Sequence, residues 1–411
     1  MNYELFVAKR IISGKEHKSS ISSPIIKIAI AAISLGVIIM LIAIATGEGL
    51  REKIRSKMSG FKGHIQITKY DANNSDVSVM PISKNQKFYP TFSNIKGIKN
   101  VQVYANQVGL IRTKTDFEGI VFKGVSTDYD WTFFKEYLIA GRIPDFNQKR
   151  TRDVLLSKTI INRLQLQLND TINVTFFKSK ASKLPSNRKL VITGIYNTGF
   201  LEFDKNMMIG DIRQVQRLNR WSENEVGGFE VILENFDELQ QKGTEIYKEI
   251  DATLDATTIA SNYPGLFEWI ELFDNNTWFI IIIMILVAGI NMITALLVLI
   301  LERIPMVGIL KAMGSSNWSI RKIFLYNASY LIFVGLFWGN LIGLLLLFLQ
   351  KYGGFITLDP DTYYVSEVPI SIDFLTIVFV NIGTLVLCFL MLIIPSVIIT
   401  KIQPSKSIRF A

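Results

Sequence analysis

The sequence offers little for catalysis or metal binding: two histidines, one cysteine and scattered carboxylates. His17 and His64 fall on opposite sides of a long apolar run, so they cannot share a ligand set. Cys388 lies inside another apolar run, has no partner for a disulfide and reads as a packing residue. The carboxylate pairs Asp128/Asp130 and Glu202/Asp204 stand in turn-like contexts that favour structural roles, and Met207 and Met208 read as core. No G-x-x-x-x-G-K-[ST], G-x-S-x-G or H-E-x-x-H pattern occurs. The chain is therefore expected to hold no nucleotide, metal or other cofactor and to perform no reaction alone. The informative stretch is Glu302–Phe324, ERIPMVGILKAMGSSNWSIRKIF, a basic, mostly apolar segment between long uncharged runs. Met306, Val307, Leu310 and Met313, with Gly308 and Gly314, predict a short helix with an apolar face and a glycine end. Such a surface helix suits the passing of motion from a soluble partner into a membrane.

The elements that must hold this segment are spanning helices. With 49% hydrophobic residues and a mean hydropathy of +0.30, the chain is too apolar for an ordinary soluble domain. Four runs carry the excess: Ile25–Thr46, Trp278–Leu301, Phe324–Leu349 and Phe374–Thr400, of which only the first holds a charge, Lys27. Each can cross the ~30 Å hydrocarbon layer, which takes ~20 apolar residues. No small-x-small cleavage site follows the first run, which therefore reads as a retained helix.

Basic residues set the expected orientation. Lys9, Arg10, Lys15 and Lys18 precede the first span; Arg303, Lys311, Arg321 and Lys322 lie between the second and third; Lys401, Lys406 and Arg409 follow the fourth. The remaining short loop carries Lys351 against Asp359, Asp361, Glu367 and Asp373. Both termini and the 302–322 segment are expected in the cytoplasm, with the large domain outside. The net charge of +9 then reflects orientation and anionic-lipid contact, not nucleic-acid binding.

The expected layout is a cytoplasmic amphipathic segment (1–23), first span (24–47), outer α+β domain with helical stalks at both ends (48–272), second span (273–301), cytoplasmic coupling loop (302–322), third span (323–350), short outer loop (351–372), fourth span (373–400) and cytoplasmic tail (401–411). Tyr3, Phe6, Val7 and Ile11 mark the amphipathic face of the first segment. Leu50, Ile54 and Met58 form one stalk stripe, Leu266, Ile270 and Phe273 the other; together they predict rigid links to spans one and two. Strand signals fall at His64–Lys69, Val101–Tyr104, Gly119–Phe122, Thr171–Phe176, Leu190–Tyr196 and Phe229–Leu233. Helix signals fall at Ser157–Gln167, with Ser157 as N-cap, Asp211–Asn219 and Phe236–Leu254. An α+β domain of two lobes is expected, with no readable boundary. Within the membrane, Gly335, Gly339 and Gly343 form a double GxxxG that favours close helix packing, with Ala32 and Gly36 a smaller version on the first span. Asn291 and Asn340 are expected to hydrogen-bond across helices.

Glu302-Arg303 followed by Gly308-Ile309-Leu310-Lys311-Ala312-Met313-Gly314 resembles the ER-x-x-x-x-G-I-L-x-A-x-G segment of ABC transporter permeases of the FtsX/MacB/Lol class. Phe6–Arg10, Ile394-Pro395-Ser396 and Gln403–Arg409 are similar to the opening and ending of that class. Gly141–Pro144 with the later 153–173 block, Thr193–Phe200 and Leu358–Pro369 look most like its lipoprotein-releasing, Lol C/E branch. The resemblance implies a MacB/FtsX-like architecture in the bacterial inner membrane, with Glu302, Arg303, Met306, Gly308, Lys311, Ala312 and Gly314 docking into a separate ATPase of Lol D type, which binds ATP and Mg. Many relatives carry Arg-Glu before the coupling glycine; Met306-Val307 stand there instead, which puts the acidic ATPase contact in doubt.

The resemblance further implies a second permease subunit, identical or paralogous, lipoprotein substrates, a lipid environment and a periplasmic chaperone that takes the cargo by mechanotransmission. The chaperone-binding hook falls at Lys178–Lys189, where Lys180, Lys183, Leu184 and Pro185 form a basic segment with an apolar tip; a solvated loop is the competing reading. Two other functions stay open: an FtsX-like relay to a cell-wall hydrolase and a MacB-like efflux permease.

Overall fold

The computed structural model describes residues 3–13, 22–70, 77–78, 80–147, 150–177 and 185–401. It contains two compact units: Met1–Arg51 with Trp269–Ile356 and Val368–Ala411, and Glu52–Glu268 with Thr357–Glu367. In chain order the helices are α1 (Tyr3–Ser13), α2 (Ser22–Lys62), α3 (Thr132–Tyr137), α4 (Lys158–Leu164), α5 (Leu201–Asp204), α6 (Ile212–Asn219) and α7 (Leu239–Glu249). They continue as α8 (Ile259–Asn262), α9 (Pro264–Glu302), α10 (Ile304–Ala312), α11 (Asn317–Gly353), α12 (Pro360–Tyr363), α13 (Phe374–Ser396) and α14 (Ile398–Lys401).

Among the described residues, four helices are long and apolar enough to cross a membrane: α2, α9, α11 and the segment Phe374–Thr400. At 1.5 Å per residue the 41 residues of α2 extend about 60 Å. That is twice the hydrocarbon thickness of ~30 Å. The apolar run thus occupies only part of a helix whose remainder carries Arg51, Glu52, Lys53 and Arg55. The predicted stripe holds throughout: Leu50, Ile54 and Met58 are all buried. The 39 residues of α9 likewise run from Pro264 without a break. The membrane core is built from Ile33, Val37 and Met40 of α2, Met292 and Leu296 of α9, Phe324 and Ile332 of α11, and Leu392 of α13.

The other unit contains strands β1 (Ile65–Lys69), β2 (Ile82–Ser83), β3 (Ile98–Arg112), β4 (Phe117–Val125), β5 (Leu138–Gly141) and β6 (Asp153–Ser157). They are followed by β7 (Thr171–Phe176), β8 (Ser186–Tyr196), β9 (Met207–Asp211), β10 (Glu225–Val226), β11 (Gly228–Leu233) and β12 (Leu254–Thr258). Ten of them make one sheet ordered β12-β1-β11-β3-β4-β9-β6-β8-β5, with β7 bridging β3 and β8. The bridge closes β3-β4-β9-β6-β8-β7 into a ring, while β12-β1-β11 extends from the other half of β3. Ile98–Tyr104 pairs with β11 and Gly109–Arg112 with β7. The two lobes share one strand, which is why no linker marks a boundary between them.

Three sequence boundaries shift. The helix expected over Phe236–Leu254 ends at Glu249. Asp251 stops the chain there by accepting from Thr253 N and Oγ1, and Leu254 then opens a strand against β1. The loop expected over Lys178–Lys189 loses its last residues to β8, because Asn187, Arg188 and Lys189 pair with Thr175, Val174 and Asn173. The short outer loop is partly folded: Thr357–Glu367 belongs to the β-rich unit and contains α12, capped by Asp359. Ser157 does cap α4, accepting from Ile160 N. Gly141 turns the chain after β5 at φ 81°, where an added Cβ would lie 2.2 Å from Thr193 O.

Candidate functional site

The short segment between the second and third spans is built from Arg303 onward. Pro305 opens α10 where a missing N–H costs nothing. Gly314, at φ 90°, ends the turn, and Ser316 caps α11 by accepting from Ser319 N. Val307 and Gly308 are buried, and Met306 and Leu310 pack beside Val7, Ala8 and Ile11 of α1 and Ile323 of α11. Glu4 accepts from Ser319 Oγ at 2.9 Å and lies 3.7 Å from Lys322 Nζ. The face of α1 against this cluster is thus Val7, Ala8 and Ile11, whereas Tyr3 and Phe6, expected on it, are exposed.

The outward face of the elbow is apolar. Ile309, Met313 and Trp318 are 53%, 77% and 58% exposed, and Pro305 and Ala312 are exposed with them. Lys311 is turned elsewhere: its Nζ donates to Ile399 O at 2.8 Å and Thr400 O at 3.3 Å, tying α10 to the end of the fourth span. Glu302 and Arg303 are half-buried at the end of α9.

The glycine stripe faces α2. A Cβ added to Gly335, Gly339 or Gly343 would lie 2.7 Å from Ile33, 2.8 Å from Val37 or 3.1 Å from Leu41. Ser34 Oγ donates to Gly335 O at 2.9 Å across the same contact. Asn340 and Asn381 exchange hydrogen bonds of 2.6 and 2.9 Å between α11 and α13. Asn291, half-buried on α9, makes no side-chain hydrogen bond among the described residues.

Of the residues expected at the hook, Lys180, Lys183 and Leu184 lie outside the described residues; Pro185 is exposed immediately before β8. The strands beneath it carry a group the sequence reading missed. Arg188 on β8 has a buried Nε without a partner. Burial, then the like charges of Arg217 and Arg150, hold its guanidinium below the ordinary arginine value. Basic residues whose charges act on one another in this way make a basic patch that attracts anions. These residues stand far apart in the sequence, and only the folded sheet with its helices joins them.

Four apolar helices, a mixed-sheet domain between the first and second, and a short elbow between the second and third define a membrane permease. A model of the MacB-like periplasmic core domain matches residues 28–246, and one of the FtsX-like permease C-terminal region matches residues 278–404. The chain belongs to this FtsX/MacB-like permease family. It is similar over 99% of both chains to the lipoprotein-releasing system transmembrane protein LolC of Neisseria meningitidis, at 21% identity. It is similar over the same share to LolE of Haemophilus influenzae, at 19%. Among solved structures it is similar to the periplasmic region of MacB from Actinobacillus actinomycetemcomitans (14% identity, 53% of this chain, 97% of that one, TM-score 0.34). A second is the extracellular domain of the transporter YknZ from Gram-positive bacteria (13%, 47% and 99%, TM-score 0.33).

Proposed function

We propose that this chain is the inner-membrane permease subunit of an ATP-driven system that releases lipoproteins from the outer leaflet to a periplasmic chaperone. The end-to-end similarity to lipoprotein-releasing relatives carries the reading. The geometry supports it at two places. The exposed Ile309/Met313/Trp318 face is a docking surface for a separate ATPase, with Lys311 and Gly308 positioning it from within. The Arg150/Arg188/Arg217 face beneath the β7–β8 hairpin suits an acidic soluble acceptor. A second permease subunit completes the assembly, since four spans alone make too small a bundle for a lipidated protein.

Energetics require the ATPase. Each CH₂ buried in the bilayer holds the anchor by ~0.8 kcal/mol; a single acyl chain binds only marginally and reversibly, but the three chains of a lipoprotein anchor together hold it firmly. Spontaneous release of such an anchor is negligible. ATP-driven closure of the partner moves the elbow, the spans shift, and the acyl chains are expelled toward the acceptor. Depletion of the protein followed by membrane fractionation tests this: lipoproteins should accumulate in the inner membrane. Normal outer-membrane delivery, with a cell-wall hydrolase co-purifying, would replace it by the relay reading; loss of drug or peptide export alone would replace it by efflux.

A further inference from the structure

Two stretches that the sequence reading singled out without a role, Thr193–Phe200 and Leu358–Pro369, converge in the β-rich unit. Asp204 draws in the end of the first: its carboxylate accepts from Thr198 N at 3.1 Å, Thr198 Oγ1 at 2.8 Å and Gly199 N at 3.0 Å. The second is held by Lys57 of α2, whose buried Nζ donates to Tyr364 O at 3.1 Å, and by Lys205 Nζ at 3.0 Å from Asp361. Tyr364 sits at φ 60°, a left-handed backbone that costs a non-glycine residue free energy and persists only where its surroundings impose it. Its ring lies 5.2 Å from Phe200, which stacks at 5.4 Å on Phe203, which in turn meets Tyr263 edge-on at 5.9 Å.

These rings, with Met58 and Leu266, line a half-open cavity of about 230 Å³. We propose that this cavity binds one apolar side chain of the protein portion of the cargo, a step that rests on the lipoprotein-release reading. Size decides against the lipid anchor. At ~30 Å³ per water the cavity holds about eight water-sized groups, which a phenylalanine or leucine side chain fills, whereas a long acyl chain would leave much of its length outside. It is also smaller than the ~300–1,000 Å³ of drug-sized sites. The rim suits a peptide. Glu202 lines it with an exposed carboxylate that has no partner among the described residues, an acceptor for a backbone N–H. Gly265, in the first turn of α9, supplies an N–H that the helix itself leaves unbonded. A Cβ built on Gly265 meets nothing within 4 Å, so backbone can approach there. A hydrocarbon tail has no use for either group.

The test uses the full-length protein with its ATPase partner in lipid nanodiscs. The probe is a soluble, non-lipidated pentapeptide, Ser-Asn-X-Ser-Asn, with the diazirine amino acid photoleucine, no larger than a phenylalanine side chain, at X. Illumination should attach it to 200–203, 263–266 or 364. The same peptide with Phe at X should suppress labelling about tenfold, and the Ser version should not. Gly265→Trp, which fills the open space, should reduce labelling to a similar extent without changing ATPase binding. Where that variant does not fold, Glu202→Lys at the exposed rim decides, with a loss of the same sign. Adducts elsewhere, equal competition by the Phe and Ser peptides, or labelling unchanged by whichever substitution folds would each overturn the proposal. Competition by lauric acid as strong as by the Phe peptide would assign the cavity to acyl chains and overturn it too. Because labelling needs no transport, it separates the two readings. A labelled cavity with normal lipoprotein delivery defeats the release function, and an unlabelled one with defective delivery defeats only the cavity.

Discussion

Asp204 and His64 are buried titratable side chains whose effects on stability oppose one another. Burial lifts the Asp204 carboxyl from 3.8 to about 6, despite three donors and the coulombic help of Lys57. Burial, with the charge of Lys99, pushes His64 from 6.5 down to about 4, and its Nδ1 accepts from Leu233 N. For Asp204 the folded state binds the proton more tightly, so its contribution improves as pH falls from 6 toward 3.8 and is lost as pH rises through 6. For His64 the unfolded state binds the proton more tightly, so stability is lost as pH falls from 6.5 toward 4. Each shift of about two units corresponds to about 3 kcal/mol, and the two nearly cancel. Asp204→Asn removes one side of the balance. The variant should become about 3 kcal/mol less stable relative to the unaltered protein on going from pH 7 to pH 4. Hydrogen exchange of the Met207–Asp211 amides in the full-length protein measures this, and a stability difference independent of pH would show that Asp204 titrates normally.

At the scale of elements, the glycine stripe makes a graded prediction. Gly339→Leu forces a Cβ to 2.8 Å from Val37 Cβ and 3.0 Å from Ser34 O, where backbone cannot yield, and should cost about 1–3 kcal/mol of overpacking. Gly383→Leu, whose Cβ meets nothing within 4 Å, should leave the melting temperature of the detergent-solubilised protein unchanged. Equal melting of both variants would remove the stripe's role in packing α11 on α2. The stripe, the spans and the longer strands were legible because each follows a local period: small residues every fourth position, apolar runs, β-branched clusters between turns. Where pairing partners are distant, the sequence was mute. Leu254 reads as a helix end, and 255–258 as no element, until β1 pairs with Leu254–Thr258 across the chain, and Thr357–Glu367 reads as a loop until Lys57 and Phe200 hold Tyr364. Of the apolar face expected on the elbow, Met306, Val307 and Leu310 turn inward and Met313 outward. Lys311, one of the seven expected contact residues, donates to the Ile399 and Thr400 carbonyls, while Ile309, Met313 and Trp318 stand exposed.

For the whole molecule, these faces imply a direction of work. The excess of Lys and Arg around the elbow predicts that it lies in the cytoplasm and the β-rich domain on the far side. Cysteines placed at Met313 and at exposed Phe117 should therefore label from opposite sides of the membrane; labelling from one side would end the mechanical reading. If the elbow drives the spans through an apolar contact, its exposed face can be altered without touching the fold. Ile309→Glu together with Met313→Asp places charges where side chains already meet solvent, so insertion and melting should be unchanged. Charges placed in the apolar core of an interface are expensive, and hot-spot residues typically cost 2 kcal/mol or more. Capture of the ATPase by the doubly substituted permease should therefore fall about thirtyfold or more. ATP-dependent lipoprotein release in reconstituted vesicles should fall with it. Tyr352→Asp is the matched control, since Tyr352 is 82% exposed near the opposite end of α11. Release reduced equally by both would mean that surface charge, not the elbow, limits the machine; release unaffected by the double substitution would place the ATPase contact elsewhere on the chain.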